Sequence, residues 1–82
     1  MKAFGKSMQP LIESGSTLTF EKSEDYNVGD VVFCKVKGRY IGAHKVIKKD
    51  QGRWLIANNK GRENGWTRMI YGKVIKVNGQ TF

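Results

Sequence analysis

The sequence predicts an all-β fold, a small coiled, mostly antiparallel β-sheet or half-barrel. Three observations predict it. Ten glycines and a single proline punctuate the apolar runs, as they do where short strands are joined by tight turns. No window keeps a helical apolar period over three turns. The stretches between turn signals, such as 18–21 and 31–34, are rich in β-branched and aromatic residues, which suit a pleated, half-buried surface.

The elements follow in order. Glu13-Ser14-Gly15-Ser16 is a turn signal, and Leu18-Thr19-Phe20-Glu21 is the first strand. Asn27-Val28-Gly29-Asp30 turns the chain into a strand from Val31 to Lys37. Gly38-Arg39 separates it from a strand running from Tyr40 to Lys49, and the two read as a hairpin. Asp50-Gln51-Gly52 turns into Arg53-Trp54-Leu55-Ile56-Ala57, and the polar segment Asn58 to Asn64 reads as a loop. Met69 to Val77 is the last strand pair or one long kinked strand. The only helical feature expected is a single turn over Pro10-Leu11-Ile12-Glu13, with Ser7 placed to cap it.

The 82 residues are expected to form one domain, residues 1–82. A chain this short buries roughly 60–65% of its surface, so the core must be compact. An apolar run such as Val31-Val32-Phe33-Cys34, which no other run exceeds, falls far short of the roughly 20 residues of a membrane-spanning helix. The opening residues Met1 to Lys6 lack the apolar centre of a secretory signal, so a cytoplasmic location is expected. Cys34 is the only cysteine. It forms no internal disulfide, leaves a structural zinc site without ligands, and fits a small buried core residue. No metal and no cofactor are expected.

Lysine and arginine outnumber the acids 15 to 7, for a formal charge of +8. That balance favours acidic partners, nucleic acid among them, although the bases are scattered along the chain. Tyr40, Trp54, Trp66 and Tyr71 are the aromatic residues that a nucleic-acid-binding β module would use for stacking. In a bland reading they belong to the core.

The segment Gly5-Lys6-Ser7-Met8-Gln9-Pro10 places a serine before a turn whose backbone Pro10 holds. A fixed hydroxyl beside free backbone N–H groups suits acyl transfer, with the Ser7 N–H facing the oxyanion. Ser7 needs a base. His44 is the only histidine, and its neighbour Lys45 is a second candidate, since a desolvated lysine serves as base in Ser–Lys dyads. Adjacent strand residues point to opposite faces, so His44 and Lys45 cannot both face Ser7. Both faces are mixed, and alternation leaves the choice open. An imidazole has the advantage of being neutral and basic near pH 7 without burial. A serine in a turn is most often a cap and a histidine on a strand most often structural; only geometry distinguishes a dyad from these.

Four stretches together resemble one superfamily. Ser7-Met8-Gln9-Pro10-Leu11-Ile12 resembles the Ser-Met-x-Pro box of type I signal peptidases and of self-cleaving phage and SOS repressors. Val28-Gly29-Asp30-Val31-Val32-Phe33 is similar to the Val-Gly-Asp box that follows in both branches. Gly38 to Ile47 resembles the stretch of archaeal and eukaryotic-type signal peptidases in which histidine replaces the bacterial lysine base. Tyr71-Gly72-Lys73-Val74-Ile75 is similar to the terminal strand of the superfamily. The resemblance implies the signal-peptidase or repressor C-terminal-domain fold, Ser7 as nucleophile and His44 as general base, 37 residues apart. The chain departs from the family where signal peptidases carry a Gly-Asp-Asn box. Its matching stretch, Ala57 to Trp66, holds no aspartate. Asn58 is left as the candidate to orient His44, and Glu63 is the only acid nearby; in the alternative reading the loop is a structural turn with Trp66 packed under it.

The function this implies is serine endopeptidase activity of the signal-peptidase or repressor-peptidase type on a polypeptide substrate. The alternatives are a catalytically inactive peptidase-like domain that binds a protein partner, and a basic nucleic-acid-binding β domain. The resemblance also suggests a phage-encoded protein, which would then act in the host cytoplasm.

Overall fold

The structure, a computed structural model of the chain, describes Ile12 and residues 15–82. Across these residues one sheet is built from β1 (Leu18–Glu21), β2 (Val31–Val36), β3 (Arg39–Asp50), β4 (Arg53–Ala57), β5 (Glu63–Thr67), β6 (Met69–Val77) and β7 (Gln80–Thr81). The strand order is β1-β6-β2-β3-β4-β5, with β7 also on β6. Every pairing is antiparallel, and no helix occurs among the described residues. The all-β class expected from the sequence is the class observed.

Three hairpins share one backbone solution. Lys37–Gly38, Gln51–Gly52 and Asn78–Gly79 have φ pairs of 52° and 78°, 48° and 76°, and 52° and 79°. Two successive left-handed residues match the turn type whose twist suits antiparallel strands. Glycine takes the second position without steric cost, whereas Lys37 and Gln51 are strained at the first. The first turn therefore falls one residue earlier than the Gly38-Arg39 expected, and Arg39 opens β3.

Register shifts interrupt the ladders at Thr19/Phe20, Val32/Cys34, Phe33/Cys34, Val46/Lys48 and Ile56/Ala57. Such bulges bend strands and raise the local twist, and here the sheet curls until β5 returns towards β2. The Thr67 hydroxyl donates to the Lys35 carbonyl. A Cβ on Gly65, whose φ is +136°, would lie 3.2 Å from Val36 Cγ1, so the two strands approach as closely as glycine permits.

Inside the curl lies the first core: Tyr26, Val32, Cys34, Val36, Val46, Trp54 and Ile56. Trp54 Nε1 donates to the Tyr26 carbonyl at 2.9 Å, and the two rings meet edge to face with centroids 5.7 Å apart. The second core, on the other side of β2 and β3, joins Leu18, Val31, Ala43 and Val74 with Ile12; Phe20 and Val77 pack against it. Gly72 lets β1 approach β6, because a Cβ there would lie 3.3 Å from Phe20 Cβ and 3.4 Å from the Glu21 carbonyl oxygen. Cys34 is a free thiol with no exposed surface, as a core cysteine should be.

The loop expected from Asn58 to Asn64 is shorter in the structure. The chain turns over Asn58 to Arg62, and β5 begins at Glu63. Its residues Glu63-Asn64-Gly65-Trp66-Thr67 have no alternating apolar pattern, and backbone pairing with β4 makes them a strand. Met69 to Val77 is one strand, bulged at Tyr71 where it pairs with β2. No helix among the described residues is long and apolar enough to cross a membrane.

Candidate active site

Ser7, its backbone N–H and the helical turn expected around Pro10 lie outside the described residues. The last described contact of that segment is Ile12, 2% exposed in the second core.

His44 stands on β3 opposite Val32, half-buried. Between Ile41 and His44 the strand carries one residue more than the facing stretch of β2. At this bulge the imidazole reaches back along its own strand, and Nδ1 lies 2.9 Å from the Gly42 carbonyl oxygen. A carbonyl only accepts, so Nδ1 carries the hydrogen, and in the neutral ring Nε2 keeps a free lone pair. The Gly42 carbonyl thus holds the ring in the tautomer that leaves Nε2 as a base. No sequence pattern signals this bond, because it depends on the bulge.

Lys45 lies opposite Val31 on β2 and Ala57 on β4. The registers place His44 with Val32 and Val46 on the inner side of the curl, and Lys45 with Val31 on the side of the second core. Next to Lys45 is a groove of about 850 Å³, bordered by Asp30, Val31, Lys73, Val74 and Phe82 among others. The Asp30 carboxylate is committed to its turn, accepting the Asn27 N–H at 2.8 Å. The Asp30 carbonyl accepts the Val46 N–H at 2.9 Å and the Gly29 N–H donates to the Val46 carbonyl at 2.8 Å. The Val-Gly-Asp stretch therefore pins the start of β2 to β3 two residues beyond His44.

Asn58 organises its own turn. Its side-chain carbonyl accepts the N–H groups of Lys60 and Arg62, each at 2.9 Å. Glu63 is exposed at the start of β5. Trp66 does not pack under the loop as the structural-turn reading has it; it sits on β5, 36% exposed, with the Arg53 guanidinium 4.6 Å from its ring centre. Of the four aromatics considered for stacking, Trp54 is buried in the first core and unavailable. Tyr40 and Tyr71 remain exposed and form a cluster with Phe33 and Phe20. Partial desolvation of Tyr71, with the Tyr40 phenol beside it, holds its hydroxyl pKa above the ordinary value.

A family model described as Peptidase S24-like matches residues 1–78, and the chain belongs to that family. Searches of curated proteins and of solved structures give no match.

Proposed function

We propose that this member of the Peptidase S24-like family is a serine endopeptidase acting on a polypeptide, with Ser7 as nucleophile and His44 as general base. The observation that carries the reading is the 2.9 Å bond from His44 Nδ1 to the Gly42 carbonyl, which reserves Nε2 for proton transfer.

In the proposed reaction Ser7 Oγ attacks the scissile carbonyl while Nε2 takes its proton, and the Ser7 N–H binds the oxyanion. Collapse of the tetrahedral intermediate expels the amine, which receives that proton from Nε2. Water then enters by the same route: Nε2 takes its proton, the acyl–serine bond breaks, and the proton returns to Ser7 Oγ. The Gly42 carbonyl orients the ring where many triads use a carboxylate. Its partial charge stabilises the imidazolium less than a full charge does, which predicts a slow enzyme. Asn58, whose side-chain carbonyl is occupied by its own turn, could approach the ring only with its amide NH2. Orientation is therefore assigned to Gly42.

Lys45 is the rival base on one specific observation: it lies on the side of the sheet where Ile12 packs. Labelling with a serine-directed electrophile, followed by intact-mass analysis, decides between the two. Wild type should label at Ser7, Ser7→Ala should not, and His44→Gln should slow labelling by about 10²-fold or more while Lys45→Met leaves it near wild type. The reverse pattern makes Lys45 the base. No labelling, together with no cleavage of a broad peptide panel, leaves the inactive protein-binding domain.

A further inference from the structure

The sheet carries a surface that the proposed peptidase chemistry does not use. Phe33 on β2, Tyr40 on β3 and Tyr71 on β6 stand side by side, with Phe20 on β1 behind them. The Phe33 and Tyr40 rings are nearly parallel, 12° apart with centroids separated by 6.1 Å. Tyr71 lies 5.8 Å from Phe33 and 5.7 Å from Tyr40, and Phe20 lies 6.0 Å from Phe33. The outer rings face solvent: Tyr40 is 64% exposed and Tyr71 37%. An aromatic group this open gains little for folding, since a large apolar side chain contributes mainly by leaving water.

The chemistry around the rings narrows the occupant. Lys35, opposite both Tyr40 and Met69, places its ammonium 5.0 Å from the Tyr40 ring centre. Glu21, the acid next to Phe20, pairs with Lys73, which pairs with Val32 of the first core, so the register turns it to the other face. The chain as a whole carries +8. Flat rings on a sheet, a cation at their margin and a strongly positive chain suit a ligand with π-faces and a regular negative backbone. An apolar protein partner has no use for that charge.

We infer that the Phe33–Tyr40–Tyr71 face is a stacking platform for single-stranded nucleic acid, with Lys35 engaging a backbone phosphate. The bases lie on Tyr40 and Tyr71, and affinity depends on salt through the cations that replace condensed counterions. The rings lie on the face of the second core, away from His44 on the side of the first, and the oligonucleotide titration reads a property that does not depend on which base serves Ser7.

The test is fluorescence anisotropy of labelled oligothymidylate and oligouridylate of about 12 nucleotides, within the span of such platforms. The full chain and its variants are titrated across a salt series. Wild type should bind at low salt, and the tighter of the two oligonucleotides identifies DNA or RNA as the source. Tyr40→Ala should weaken binding about tenfold or more, whereas Tyr40→Trp, which keeps a π-face, should stay within about twofold. Lys35→Ala should reduce the salt slope by about 0.7, the value for one phosphate on a single strand. Circular dichroism of each variant verifies the fold, and the Trp variant keeps the test valid if the Ala variant unfolds. The inference is overturned by no binding at low salt, by equal affinity for a duplex, or by Tyr40→Trp binding as poorly as Tyr40→Ala. It is equally overturned if sedimentation shows a dimer that Tyr40→Ala dissociates, since the face then covers a second copy.

Discussion

The half of the sheet formed by β2 to β5 and the half formed by β1 and β6 bury their apolar residues to similar depth, yet they are closed by different means. Val32, Val46 and Ile56 in the first half are fully buried, and Leu18 and Val74 in the second, with Ile12 in their core, nearly so. The first half closes on itself. β5 swings back to β2, the Thr67 hydroxyl reaches the Lys35 carbonyl, and Trp54 is tied to Tyr26 across the interior. The second half takes Ile12 from outside the sheet to complete its core, and its Phe20 and Tyr71 join Phe33 and Tyr40 in a ring cluster left open to solvent. A closed curl can hold one imidazole in one tautomer; an open face can offer area to a partner.

If closure matters as this contrast suggests, the two cores should respond differently to the same truncation. Ile56→Ala, inside the curl, should cost about 4 kcal/mol, because neighbours held by the returning strands cannot collapse into the cavity. Ile12→Ala should cost nearer ~2 kcal/mol, since the second core is not enclosed by a strand that returns across it. Urea denaturation of both variants measures this, and equal losses would remove the distinction. Trp54→Phe comes next. It leaves the Tyr26 carbonyl without its buried donor and should lower stability by about 1–3 kcal/mol.

Cys34 probes the dryness of the curl by pH. Burial pushes its thiol up from 9.0 to about 12. Folded thiol stays neutral while unfolded thiol ionises, so its contribution is fully present below pH 9 and is lost as pH rises from there towards 12. Relative to Cys34→Ala, wild type should lose up to about 1.4 kcal/mol per pH unit in that window. Paired urea titrations at mildly and strongly alkaline pH give the difference. A flat difference would mean that water reaches the interior. The smallest effect belongs to the rim. The Lys49 hydrogen bond holds the Asp25 carboxyl below its ordinary value, but the pair is exposed. Asp25→Asn should leave the denaturation midpoint at neutral pH unchanged within error.

The strands most legible in the sequence are those with turn chemistry on both sides. Leu18–Glu21 and Arg53–Ala57 have the same bounds in the structure as in the sequence reading, and the other two early strands differ by about a residue at their ends. β5 was illegible because it has neither alternation nor an apolar run, and it exists only by pairing with β4 and closing onto β2. The candidate site divides in the same way. His44 and Lys45 could be named from residue type and from the boxes around them, and the opposite faces predicted by alternation are those the registers give. What could not be read was the group behind the imidazole. The sequence pointed to side chains such as Asn58, while the structure supplies a backbone carbonyl two residues away. Backbone acceptors are present at every position, so no residue type marks the one a ring will use.

The strand order also fixes an order in time. β2, β3, β4 and β5 are neighbours in sequence as well as in space, whereas among the described residues β1 pairs with β6 alone. Pairing of Leu18 with Val77 must bring together segments from near the two ends of the chain, and such long closures are slow. The meander can form while β1 is still unpaired, and until β6 slides between β1 and β2 the second core has no floor. Refolding should therefore protect the amides of β3 and β4 from exchange before those of β1, and the aromatic face that Phe20 and Tyr71 complete should be the last part of the molecule to take shape.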